Sequence, residues 1–145
     1  MTLRRLFFRI GWAVHRAVWR LSGHRIGTSA AGPVGVGTLF LLSTGRRSGA
    51  IRRNGLYYAE DGPAFAVVAS NAGDHDDPQW WRNLEATPDA TIEVGPRSIR
   101  VRARRATDAE AERLWPRFTA AYPIFDGYRR RASREIPIVM LEPRS

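Results

Sequence analysis

Three stretches of the chain combine residue types that could do chemistry. The first is Ser43-Thr44-Gly45-Arg46-Arg47-Ser48-Gly49, with Arg52 and Arg53 just beyond it. Glycines allow a tight turn that presents backbone N–H groups, hydroxyls add donors, and guanidinium forks hold phosphate or carboxylate in bidentate fashion. It is not a Walker A loop, because the G-x-x-x-x-G-K-[ST] spacing and the lysine are missing. A solvated basic turn remains the alternative. The second stretch, Asn71 to Leu84, ends in Trp80-Trp81-Arg82-Asn83-Leu84 after an acidic loop. Neighbouring tryptophans on a helix point in different directions, so one is expected in the core and the other is offered as a stacking surface for a flat ring. The third is Tyr122-Pro123-Ile124-Phe125-Asp126-Gly127-Tyr128, whose aromatics at every third residue suit either core anchors or a lid over a planar substrate. None of the three supplies a nucleophile or a Ser/His/Asp set. An enzyme built on them would borrow its reactivity from a cofactor.

Composition narrows the classes. There is no cysteine, which excludes disulfides, thiolate metal sites and thiol catalysis. His15, His24 and His75 are scattered, so no metal site is expected. Every basic residue is arginine, and no acid occurs before Glu60, whereas ten arginines do. The other thirteen arginines face all fourteen acids, so the excess charge lies wholly in residues 1–59. Such asymmetry points to an anionic partner, although a GC-rich genome would also favour arginine over lysine. No nucleic-acid recognition motif is present, and nucleic acid is not expected as the partner.

The elements that must position these stretches follow from periodicity. Residues 2–22 read as a helix, with Leu3, Leu6, Phe7, Ile10, Val14, Ala17, Val18 and Leu21 on one side and Arg5, Arg9, Arg16 and Arg20 on the other. It carries too many charges for a membrane span or a secretory leader. Either it packs on its own domain or a second subunit, or it lies at an anionic membrane surface with Trp12 and Trp19 at the boundary. The expected division is an N-terminal basic amphipathic helix at 1–26 and one domain at 27–145. Within that domain the expected strands are Val36–Thr44, Arg52–Glu60, Ala64–Asn71, Ala90–Val94, Ile99–Ala106 and Ile136–Leu141. Hairpins turn at Asp61-Gly62 and Gly95-Pro96. A short helix is expected at Gln79–Ala86 behind Pro78, and a longer one from the capping box Thr107–Glu110 to about Tyr122. Hairpin-linked strands that do not alternate with helices suggest a mainly β (α+β) protein, an antiparallel sheet curled into a small barrel with peripheral helices.

The motifs T-G-R-R-S-G at 44–49, V-V-A-S-N at 67–71, P-x-W-W-x-N-L at 78–84 and R-E-I-P-I-V at 134–139, in this order and spacing, resemble the deazaflavin-dependent nitroreductase and quinone reductase family of actinobacteria. The resemblance runs from about residue 10 to Pro143. It implies a split β-barrel of about six antiparallel strands that binds reduced coenzyme F420, a deazaflavin with a phosphate and an oligoglutamate tail. Position by position, it makes Arg46, Arg47 and Ser48 the phosphate loop. Arg52, Arg53, Asn54, Gly55, Leu56 and Tyr57 would form the strand along the cofactor. Val68, Ala69, Ser70 and Asn71 would meet the ring, and Gln79, Trp80, Trp81, Arg82 and Asn83 would complete the pocket. Tyr122, Phe125 and Tyr128 would line the acceptor site. Arg47 replaces a usual lysine, Gly55 a proline, Trp81 a tyrosine and Phe125 a substrate-side tyrosine. The last change removes a hydroxyl and bears most on nitroimidazole-type reduction.

The implied activity is hydride transfer from the reduced deazaflavin to a quinone or nitro-aromatic acceptor, with Tyr57, Ser70 and Tyr128 as the residues that stabilise or protonate it. The expected setting is cytoplasmic, with peripheral attachment to the inner face of the plasma membrane as a further option and a homodimer as another. The alternatives are an FMN-dependent oxidoreductase on the same barrel and a non-catalytic protein that binds the deazaflavin or another polyanion.

Overall fold

In a computed structural model, the structure describes residues 35–145. The expected N-terminal helix, and with it the 1–26 boundary and the lipid-facing arginines, lies outside those residues. Six strands form a closed antiparallel barrel: β1 (Val36–Thr44), β2 (Ile51–Asp61), β3 (Ala64–Val68), β4 (Asp89–Val94), β5 (Arg97–Arg105) and β6 (Ile138–Pro143). Their order around the barrel is β1-β2-β3-β6-β5-β4. Helix α1 (Gln79–Ala86) follows β3 and a turn at Asn71–Gly73; α2 (Asp108–Ala121) and α3 (Ile124–Arg131) lie between β5 and β6. No helix among the described residues is long and apolar enough to cross a membrane.

Strand alternation separates two cores. Leu39 and Leu41 of β1, Tyr58 of β2, Phe65 and Val67 of β3, Ile92, Val101, Val139 and Leu141 face one another inside the barrel. The opposite faces of β2, β3 and β6, with Ala59, Ala66, Val68, Ile138 and Met140, are covered by Leu114, Trp115 and Phe118 of α2 and by Phe125 and Tyr128 of α3. Helix α2 starts at a reciprocal cap: Glu110 N–H donates to Thr107 Oγ1 at 3.2 Å, and Thr107 N–H to Glu110 Oε1 at 2.9 Å. Arg104 on β5 donates to both oxygens of Glu110, at 2.7 and 2.9 Å, and to Glu142 of β6 at 2.6 Å, tying that cap to two strands. Its partners hold the Glu110 carboxyl down to about 2.

Two expectations are corrected. Trp80 and Trp81 are both buried, 5% and 6% exposed, and both belong to the barrel interior along with Leu84. Successive helical residues are about 100° apart, and a helix seated across a concave barrel end buries an arc wider than that. No second tryptophan is therefore left as an exposed stacking surface. Strand β3 ends at Val68, not Asn71, because Asn71, Ala72 and Gly73 take successive φ values of 47°, 55° and 79°. Left-handed residues cannot continue a pleated ladder.

Candidate functional site

The loop between β1 and β2 is a closed turn. Gly45 N–H donates to Ala50 O at 2.7 Å, Gly49 N–H to Gly45 O at 2.8 Å, and Ala50 N–H to Ser48 Oγ at 3.1 Å. Gly45 is needed for its closeness: a Cβ there would come within 3.0 Å of Ser48 Oγ and 3.1 Å of Ala50 O. The three arginines around the loop divide by role. Arg46 is a brace, its guanidinium donating to Asn83 Oδ1 at 2.9 Å and Gln79 Oε1 at 2.7 Å, and its N–H to Asn83 Oδ1 at 3.2 Å. It locks the loop to α1 across the barrel end. Arg47 and Arg52 are exposed and have no hydrogen-bond or ion-pair partner among the described residues. Arg52 Nε lies beside Gly45, 3.5 Å from where its Cβ would stand. Two open guanidinium groups, a hydroxyl and a tight glycine turn make a donor set that fits an anion.

Beyond the loop, β2 is paired with β1 along Ile51–Ala59, but the β3 ladder covers it only from Tyr58 to Asp61. Alternation sends Arg52, Asn54 and Leu56 to the barrel side, where they stand opposite Ser43, Leu41 and Leu39, and sends Arg53, Gly55 and Tyr57 outward. A single ligand on one face would meet only half of these side chains and the others through backbone. Arg53 is already engaged, 2.9 Å from Glu93 Oε1 and with its guanidinium 5.7 Å from the Phe40 ring centroid.

From Arg52 to Tyr57 the strand advances about 17 Å. At that far point stands an aromatic cluster. Tyr57 packs on Tyr122 with ring centroids 4.1 Å apart and meets Phe125 edge-on at 6.0 Å. Phe125 also takes edge contacts from Phe118, Tyr122 and Tyr128 at 5.7, 6.3 and 5.9 Å. It is 4% exposed and is the packing hub of the cluster, whereas Tyr57 and Tyr122 are half-buried. Burial, with the Tyr122 and Tyr128 phenols nearby, raises the Tyr57 pKa above its ordinary value. The structure thus brings Tyr57, Tyr122, Phe125 and Tyr128 together.

Ser70 and Asn71 follow the end of β3. Ser70 is buried, and its carbonyl accepts from Gly73 N–H at 2.8 Å. Asn71 donates through Nδ2 to Asp76 O at 2.9 Å, a local bond of the kind that eases its left-handed φ. The turn sits against α3: a Cβ on Gly73 would be 3.0 Å from both Cα and O of Tyr128. Arg82 of α1 lies 3.6 Å from Asp76 in the loop that follows. Sequence reasoning missed Gly73, Asp77 and Arg134, which hold this turn in place; the R-E-I-P-I-V motif contained Arg134 but gave it no role. Among the described residues no group of three or more His, Asp or Glu could hold a metal ion.

A family model described as F420H(2)-dependent quinone reductase matches residues 12–143. An F420H(2)-dependent quinone reductase of Mycobacterium tuberculosis is 37% identical over 134 residues, covering 90% of this chain and 89% of its own length. The solved structure of an F420-H2 dependent reductase superposes with a TM-score of 0.66 at 30% identity, over 72% of this chain and 93% of that one. A second structure, described as a domain-swapped dimer, gives a TM-score of 0.68 at 26% identity, over 92% of this chain and 99% of its own.

Proposed function

The chain belongs to the F420H(2)-dependent quinone reductase family, and from that premise we infer an oxidoreductase that passes a hydride from reduced coenzyme F420 to a quinone. The observation that carries the reading onto this chain's own residues is the layout of β2, with open anion-binding guanidinium groups at one end and a cluster of phenols at the other. A deazaflavin whose tail is polyanionic needs those two chemistries at separate points. When bound, the reduced deazaflavin supplies the hydride.

Arg47, Ser48 and Arg52 bind the anionic tail, and Arg46 keeps their loop against α1 through Gln79 and Asn83. Arg53, Asn54, Gly55 and Leu56 carry the backbone along which the cofactor extends. Val68, Ala69, Ser70 and Asn71 would hold the ring, and the buried Trp80 and Trp81 would keep α1, with Arg82, in place as part of the same pocket. The tyrosines and Phe125 exclude water from the acceptor side, which strengthens polar interactions there. Tyr57, like any phenol, keeps its proton in the neutral range, and burial shifts its pKa further upward. It therefore donates a hydrogen bond to an oxygen that gains charge, with Ser70 and Tyr128 as the other candidate donors.

A nitro-aromatic acceptor is a finer possibility of the same site; Phe125 has no hydroxyl to offer and is occupied in packing. Actinobacterial origin, peripheral attachment to an anionic membrane and a homodimer also belong to this proposal, the last supported by the domain-swapped dimer among the similar structures. The test is titration of the purified protein with reduced F420, then with FMN, followed by menadione. F420 binding with menadione-dependent oxidation supports the reading, and binding of FMN alone, or of neither, removes it.

A further inference from the structure

We propose that Arg134 is a positioning residue for hydride transfer, fixing the Ser70–Gly73 turn against α3 so that ring support and acceptor-side phenols keep one relative placement; this rests on the functional reading above. Arg134 lies between α3 and β6, and its side chain is 16% exposed. Every part of its fork is used. Nε donates to Asp74 O at 3.2 Å; one terminal nitrogen donates to Asp77 Oδ1 at 2.6 Å and Glu135 O at 3.4 Å; the other donates to Ala69 O at 3.2 Å and Ser70 O at 3.1 Å. A planar guanidinium can span these acceptors at once, whereas an ammonium on a flexible stem cannot.

The acceptors explain the purpose. Ala69 and Ser70 are the last residues before three consecutive left-handed residues, two of which are not glycine. Such a turn persists only where its surroundings over-determine it. Asp74 and Asp77 lie on its far side, so the guanidinium clamps the turn at entry and exit. On its outer face the turn touches the backbone of Tyr128 through Gly73. A shift of the turn therefore moves Ser70 and the α3 phenol together, and misplacement of reacting groups by an ångström is costly in rate. Arg47 and Arg52 stand at the other end of β2, so tail binding is insulated from this clamp.

The experiment uses the full chain with Arg134→Lys and, as a milder variant, Asp77→Asn. Amide exchange is measured without cofactor, cofactor affinity by the fluorescence of oxidised F420, and hydride transfer by single turnover at saturating reduced F420 with menadione. A first-order single-turnover constant does not depend on the fraction of active protein. The expected result for Arg134→Lys is at least about tenfold slower transfer with affinity changed less than about threefold, and faster exchange at Ala69, Gly73 and Asp74 with the β1–β2 ladder unchanged. Asp77→Asn moves the same quantities less. Unchanged local exchange, or acceleration of all amides together, overturns the proposal, as does an unchanged transfer rate. Should the wild-type protein bind no F420, the functional reading falls, and the exchange arm still decides whether Arg134 holds the turn.

Discussion

Replacing Gly73 by alanine separates two costs that the structure makes distinct. Gly73 and Gly62 both have positive φ, 79° and 58°. Alanine at either pays the left-handed penalty of about 1–2 kcal/mol. At Gly62 nothing lies within 4 Å of the added methyl, so the penalty ends there. At Gly73 the methyl meets two backbone atoms of Tyr128 at 3.0 Å, which a side-chain rotation cannot relieve. Forcing turn and helix apart adds about 1–3 kcal/mol. Gly73→Ala is thus expected to cost about 2–5 kcal/mol, and Gly62→Ala about 1–2. At roughly 4 °C per kcal/mol, the two melting temperatures should differ by about 4–12 °C. Urea unfolding of the pair is the primary assay, and single-turnover reduction of menadione is the second. The turn carries Ser70 and abuts Tyr128, so Gly73→Ala slows hydride transfer while Gly62→Ala, at the β2–β3 hairpin, leaves it unaltered. Equal destabilisation of the two variants would refute the close approach of turn and α3, and with it the coupling of ring support to acceptor site.

Other expectations concern the loop and the α2 cap. Arg46→Ala removes the guanidinium bonds to Asn83 and Gln79 but keeps the Arg46 N–H on the buried Asn83 amide oxygen, and should cost about 1 kcal/mol in urea unfolding. Arg47→Ala and Arg52→Ala, which lose no partner among the described residues, should leave stability within about 0.5 kcal/mol of wild type. Each should nonetheless weaken F420 binding by about tenfold or more, less so at high salt, as read by fluorescence titration. Glu110 has a folded pKa lowered to about 2 against 4.5 when unpaired, so its contribution is complete above about pH 4.5 and is lost as pH falls toward 2. Glu110→Gln should therefore melt lower than wild type at pH 6, with the gap narrowing at pH 2.5; a constant gap would contradict the pairing with Arg104 and the Thr107 cap.

Much of the barrel was legible because its signals are local. Val36–Thr44 and Gln79–Ala86 were bounded in the sequence by the Gly45 turn and by Pro78 and Pro88, and the Thr107–Glu110 box marked the start of α2. The end of β3 was not legible: V-V-A-S-N continues a β-like composition, and beside the local Asn71–Asp76 bond the partners packed on the left-handed turn, Arg134 and Tyr128, lie more than 50 residues away. The paired tryptophans misled for a related reason, since the arc that a helix buries depends on the curvature of what it sits in. The basic loop could be recognised as an anion cradle, but which arginine was open could not, because Arg46 finds its partners 33 and 37 residues away in Gln79 and Asn83. Likewise, Tyr122, Phe125 and Tyr128 read equally as core or lid, and the structure divides them, with Phe125 at the hub and Tyr122 against Tyr57.

The central claim is hydride transfer from reduced F420 to a quinone. Its most direct test is a stopped-flow mixture of purified protein, reduced F420 and menadione, followed by the return of oxidised F420 absorbance. The predicted result is protein-dependent oxidation that saturates with both substrates and fails with FMN in place of F420. Oxidation at the rate of the protein-free mixture would contradict it.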